Sequence, residues 1–182
     1  MTTALQPSPW YNRLQMYKTT VKEYGWLLAA LVHHYLPRHA EDIASLLGSA
    51  PSMMTVVPSK KAWVTFESQM LQQVLTVACA GQFSVVQTLE FAVGGTLPRQ
   101  QYKPDLFTPT RAVAGEHIIL IEDTWTSGAT AVSAAGALLR EGAAGVTILP
   151  LARQVALEFH GEEHPYVEAA REPYDITLWP RV

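Results

Sequence analysis

The uninterrupted aliphatic run Ile118-Ile119-Leu120-Ile121 ends directly in two adjacent carboxylates, Glu122 and Asp123. Rich in β-branched residues, such a run reads as a strand buried on both faces, the kind found in parallel sheets covered by helices. Thr124, Trp125, Thr126, Ser127 and Gly128 follow as a hydroxyl-bearing turn. An alanine-rich helix then begins at about Ala129 and continues through Ala131, Val132, Ala134, Ala135, Leu138 and Leu139 to Glu141. This order puts hydroxyls and free backbone N–H groups at a helix N-terminus, a place that suits a phosphate. The paired acids beside it can hold hydroxyls or a hydrated Mg²⁺ ion. Simple capping of a helix accounts for Thr126 or Ser127 but leaves two acids at a buried strand end unexplained.

The rest of the chain alternates strands with helices, which indicates an α/β fold with a mostly parallel central sheet. Leu14, Tyr17, Val21, Tyr24, Leu28, Leu31 and Tyr35 recur at three- and four-residue intervals, one face of a long helix ended by Pro37. A short helix over about Ala40–Leu47, with Glu41 and Asp42 in its first turn, stops at Gly48. Met53 to Val57 read as the first core strand and Phe66 to Ala80 as a helix. Phe83 to Val86 begin another strand, with Leu89 to Val93 as a candidate third. Gly145 to Leu149 read as the last parallel strand. The expected organisation is one domain: helices over 14–48, an α/β core over 53–152 and a C-terminal tail or hood over 153–182.

Of the 182 residues, 48% are hydrophobic and 16% charged, which excludes general disorder. A net charge of −3 offers no global attraction for nucleic acid; Lys18, Lys22, Lys60 and Lys61 make a thin case for a basic face. The single cysteine, Cys79, lies in an apolar run and reads as a core thiol. The first residues lack a charged and an apolar leader region, and no apolar run is long enough to span a bilayer, so a cytoplasmic protein is expected. No G-x-x-x-x-G-K-[ST] or G-x-G-x-x-G string is present.

The thirteen residues Ile118 to Thr130 resemble the 5-phosphoribosyl-1-pyrophosphate (PRPP) signature of type I phosphoribosyltransferases. That signature is an aliphatic run, two acids and a loop of the form T-x-T-[TS]-G-x-T. The resemblance implies that Glu122 and Asp123 contact the ribose hydroxyls. It also implies that Thr124, Thr126, Ser127, Gly128, Ala129 and Thr130 surround the 5′-phosphate. Mg²⁺ would arrive with PRPP near the two acids, with no direct protein metal site of its own. Gly128 is where a Cβ would obstruct close backbone approach or a positive φ. Trp125 departs from the usual aliphatic residue and either packs under the loop or faces the acceptor.

Val56-Val57-Pro58-Ser59-Lys60-Lys61 resembles the pyrophosphate loop of the same family, with Ser59, Lys60 and Lys61 as its ligands. At the carboxyl end of a strand, this turn could share a crevice with the acid pair. Gly94 to Phe107 form a long Gly- and Pro-punctuated loop, which in the family closes over PRPP. Arg99, Lys103 and Arg111 are the candidates to neutralise departing pyrophosphate. The order of features is similar to ComF-like and amidophosphoribosyltransferase-related proteins, through Tyr17-Lys18, the V-P-S strand end, Gly115 to Leu120 and Leu149 to Arg153. The R-G-F-N-Q-like string of ComF proteins is replaced by Ala62 to Glu67, and a four-cysteine zinc site is impossible with Cys79 alone. The expected activity is phosphoribosyl transfer from PRPP to a nitrogen nucleophile. The alternative is a non-catalytic PRPP or nucleotide sensor, or a ComF-like accessory protein. Related enzymes commonly form homodimers.

His160-Gly161-Glu162-Glu163-His164 matches the H-x-x-E-H metalloprotease string, but Gly161 and Pro165 argue against the helix that zinc binding needs. His33, His34 and His39 read as helix-end residues. Tyr174, Asp175 and Trp179 could form part of a hood over an acceptor base or pack on the core.

Overall fold

Ile118, Ile119, Leu120 and Ile121 lie in the middle of a nine-residue strand and are fully buried, each worth about 1.5–3 kcal/mol of burial. The structure, a computed structural model, describes residues 2–6, 12, 16, 23–59, 69–92, 95 and 100–171. Its elements are β1 (Thr2–Gln6), α1 (Glu23–Arg38), α2 (Ala40–Leu47), β2 (Met53–Val56), α3 (Met70–Ala78), β3 (Leu89–Phe91), β4 (Phe107–Pro109), β5 (His117–Trp125), α4 (Ala129–Arg140), β6 (Gly145–Ala156), α5 (Leu157–His160) and α6 (Pro165–Arg171). A 3₁₀ turn at Pro104–Leu106 precedes β4.

The main sheet is parallel, in the order β1-β6-β5-β2, and Val85 adds a parallel rung outside β2 at Met54. Side chains alternate across it and feed two cores. On one face Met54, Val56, Ile119 and Ile121 meet Leu28, Val32 and Leu36 of α1 and Leu71, Val74 and Leu75 of α3. On the other, Met53, Ile118 and Leu120 meet Ala131, Ala134, Ala135 and Leu138 of α4. Alanine is the strongest helix former, and its small side chain lets α4 sit close to the strands. Leu120→Ala is expected to destabilise the fold by about 2–5 kcal/mol, read as a lower denaturant midpoint, because α4 cannot collapse into the gap.

The two crossovers leave β2 and β5 in opposite directions. From β2 the chain passes through α3, on the first face, to the Val85 rung. From β5 it passes through α4, on the second face, to β6. The winding therefore reverses between β2 and β5, and the carboxyl ends of these neighbouring strands meet where open α/β sheets have their ligand crevice.

Several expectations change. Leu89–Phe91 is not a strand of the parallel sheet; it pairs antiparallel with β4, Leu89 opposite Pro109 and Phe91 opposite Phe107. The Phe83–Val86 strand shrinks to the single rung at Val85. Pro37 does not end α1, which runs to Arg38; so close to the terminus the missing proline donor costs one bond, and Arg38 donates back to the His34 carbonyl (2.8 Å). β6 continues past Leu149 through Pro150 to Ala156. Among the described residues the β1 ladder meets β6 from Ala152 onward, so Pro150 lies outside it.

Other expectations hold. α2 spans Ala40–Leu47, and Gly48 closes it at φ +77° with its N–H on Ser45 O. Cys79 is fully buried, and burial pushes its thiol pKa up, as for a core residue. Gly161, at φ +78°, terminates α5 and separates His160 from His164. Among the described residues no helix is long and apolar enough to cross a membrane.

Candidate functional site

β5 carries the acid pair to the rim of the crevice, where Glu122 and Asp123 are half-buried. β2 arrives beside it in register, Val56 opposite Ile121, and Val57 N–H donates to Ile121 O (2.9 Å). Pro58 and Ser59 therefore leave the sheet alongside Glu122 and Asp123. Gln69 fixes the start of that turn by donating to Val57 O (3.1 Å). Ser59 thus follows two residues after the Val57 bond that ties the end of β2 to β5. Lys60, Lys61 and Arg99 lie outside the described residues, as do Tyr174, Asp175 and Trp179.

After Trp125 the chain turns through exposed Thr126 and Ser127 into buried Gly128, the N-cap of α4. Gly128 has φ +77°, a left-handed conformation that costs any residue with a Cβ. It also has no side chain to cap with, and among the described residues no side-chain cap is made. Ser127 Oγ reaches only Ala129 N, at 3.4 Å, and the first helical bond is Val132 N to Gly128 O (2.9 Å). Capping by Ser127 is thus limited to one long bond at the first residue of α4. The Thr130 and Ala131 amides precede that first helical bond, and amides of a helix's first turn favour an anion. Ala129 and Thr130 are half-buried, and the Thr124 hydroxyl is shielded from solvent.

Trp125 packs under the loop, one of the two positions expected for it. A Cβ on Gly128 would lie 2.2 Å from its Cζ2 and 2.6 Å from its Cη2. The ring also joins the core beneath α4.

The segment before the signature is strapped along α4. Tyr102 lies over Gly136, where a Cβ would come within 2.1 Å of its hydroxyl oxygen. Lys103 N–H donates to Ser133 Oγ (2.9 Å), and Asp105 pairs with Arg140, whose pKa is raised mainly by that hydrogen bond. Ser133, Gly136 and Arg140 lie on one helical face, at spacings of three and four. Ser133 is four residues into α4, so the Lys103 backbone sits about 6 Å along the helix from the loop. Arg111 is exposed after β4, where Thr110 N–H is tied to Thr88 O. The small residues Ser133 and Gly136 are not among those the sequence singles out. A glycine inside an otherwise strong helix was the available signal, since it costs about 1 kcal/mol relative to alanine and implies close packing.

Among the described residues no group of three His, Cys, Asp or Glu side chains could hold a metal. Two adjacent carboxylates are hard oxygen donors that fit Mg²⁺ arriving with most of its shell supplied by water and a ligand's phosphates.

No protein-family model matches the chain, and no curated protein does. Solved structures similar to it include a point variant of Trypanosoma cruzi hypoxanthine phosphoribosyltransferase as a ternary substrates complex, at 14% identity over 81% of this chain and 72% of that one, with a TM-score of 0.46. A Leishmania tarentolae HGPRT-ase bound to GMP is 15% identical over 75% and 69%, with a TM-score of 0.45. A variant of the T. cruzi enzyme bound to IMP is 11% identical over 69% and 72%, with a TM-score of 0.43.

Proposed function

We propose that the crevice between β2 and β5 binds PRPP with Mg²⁺ and that the protein transfers its phosphoribosyl group to a nitrogen nucleophile, releasing pyrophosphate. The observation that carries this reading is the helix N-terminus behind Gly128, an N-cap residue with no side chain, placed at the winding reversal beside two adjacent carboxylates. A phosphate suits the helix end, a vicinal diol suits the acids, and a ribose 5-phosphate spans both.

In this reading Glu122 and Asp123 accept hydrogen bonds from the ribose hydroxyls. Thr126, Ser127 and the backbone from Gly128 to Thr130 take the 5′-phosphate, with Thr124 behind them. Ser59, with Lys60 and Lys61 after it in sequence, takes the pyrophosphate, and Arg99 and Lys103 neutralise it as it leaves. Mg²⁺ would neutralise the pyrophosphate and favour its departure. The bond from C1 of the ribose to the pyrophosphate oxygen breaks as the nitrogen lone pair forms the new bond, and the nitrogen gives up a proton. The protein contributes orientation and fixed charge, and the crevice limits access of competing water. The V-P-S strand end and Leu149 to Arg153 support a ComF-like placement within the family.

Incubation of the full chain with PRPP, Mg²⁺ and a panel of bases, amines and ammonia, with pyrophosphate measured, tests the activity. At least one acceptor is expected to raise pyrophosphate release above hydrolysis. Binding of PRPP without release for any acceptor would favour the sensor reading over the transferase.

A further inference from the structure

Trp125 stands where the related signature has an aliphatic residue, and phosphoribosyl transfer itself gives it no task. Its position is specific. Three residues after it, Gly128 adopts φ +77°, and the space beside the glycine Cα is filled by the indole: Cζ2, Cη2 and Cε2 lie 2.2, 2.6 and 2.7 Å from where a Cβ would be. The turn from 125 to 128 thus closes on its own ring. That ring is half-buried against the core under α4, while Thr126 and Ser127 face outward. A Thr-Ser-Gly turn without such a floor would sample many conformations and would have to be ordered by its ligand.

We infer that Trp125 is a positioning residue for anion binding: its indole braces Gly128 and so holds the first-turn amides of α4 in the arrangement that receives a sugar phosphate. This rests on the phosphoribosyl reading of the crevice. A brace that orders the loop in advance acts on the binding of substrate and transition state alike, so its loss raises KM with kcat nearly unchanged. It also places an indole next to the bound phosphate, where its fluorescence reports occupancy.

The test compares wild type, Trp125→Ala and Trp125→Phe in the full chain, with ribose 5-phosphate and PRPP plus Mg²⁺ as probes. Trp125→Ala is expected to weaken both by about tenfold and to raise KM for PRPP equally, with kcat within about twofold. Trp125→Phe, which keeps an aromatic floor, is expected to restore most of the affinity. It should also lose the ligand-induced emission change of wild type, which separates Trp125 from the other four tryptophans. Where circular dichroism shows Trp125→Ala unfolded, Trp125→Leu, the aliphatic alternative, provides the same comparison. Normal wild-type binding with unchanged or tighter binding by the small-side-chain variant overturns the brace alone, as does a fall in kcat at constant KM. A wild type that binds neither probe overturns the phosphoribosyl reading and the brace with it.

Discussion

Exchange of the acid pair for its amides, Glu122→Gln with Asp123→Asn, is expected to weaken PRPP binding by about a hundredfold or more and to remove turnover. Hydrogen bonds to charged groups contribute about 1.5–3 kcal/mol each, and two are lost together with the local charge that would attract Mg²⁺. The exchange preserves shape and the β5 register, with Glu122 opposite Pro150, so the fold should persist. Both carboxylates have interaction partners within the fold, so a thermal melt must accompany the binding measurement. Titration of PRPP into the double variant, alongside a thermal melt, separates the outcomes. Undiminished affinity in a folded variant would remove the acids from the site. A large loss of stability would recast them as structural.

A single methyl at position 128 should have the second-largest effect. Gly128→Ala must place a Cβ at φ +77°, which costs about 1–2 kcal/mol, and 2.2 Å from an aromatic carbon, which forces Trp125 or the turn to move. Together these are expected to lower stability by about 2–4 kcal/mol and to abolish detectable binding of ribose 5-phosphate. Gly48 supplies the control within the same chain: it also has φ +77°, but nothing lies within 4 Å of a Cβ there. Gly48→Ala should therefore show the conformational cost alone and bind the sugar phosphate normally. Equal destabilisation at the two positions would mean that the indole yields freely and that the clash has no weight.

Those two glycines also illustrate what the sequence made legible. Gly48 follows a helical period and precedes a proline, so its capping role was readable from local chemistry. Gly128 was readable from its turn, whereas the ring pressed against it was one of two options for Trp125. The core of the fold was legible for a similar reason. Ile118 to Ile121 can be buried only between two helical layers, and the alanine spacing of α4 marks the face that supplies one of them. Less legible were elements defined by partners distant in sequence. β3 and β4 have three residues each, too few for a period, and take their identity from pairing with each other. β1 is a strand because β6 lies beside it, from Thr2 opposite Ala152 to Gln6 opposite Ala156. The strap of Tyr102, Lys103 and Asp105 depends on a groove over Ser133 and Gly136, a surface that exists only once α4 has formed.

The acids, Ser59 and the turn into α4 were placed by sequence order alone, because each follows directly from the end of a strand. Lys103 needed the tertiary fold to acquire a position, since its place is set by a backbone bond to Ser133 and not by its own side chain.

Isothermal titration of PRPP into the full chain with Mg²⁺ present tests the central claim most directly. A crevice that holds ribose 5-phosphate between the acid pair and the α4 N-terminus yields saturable heat with one PRPP per chain, and ribose 5-phosphate competes for it. A flat titration for both ligands, from a protein shown to be folded, would contradict that claim.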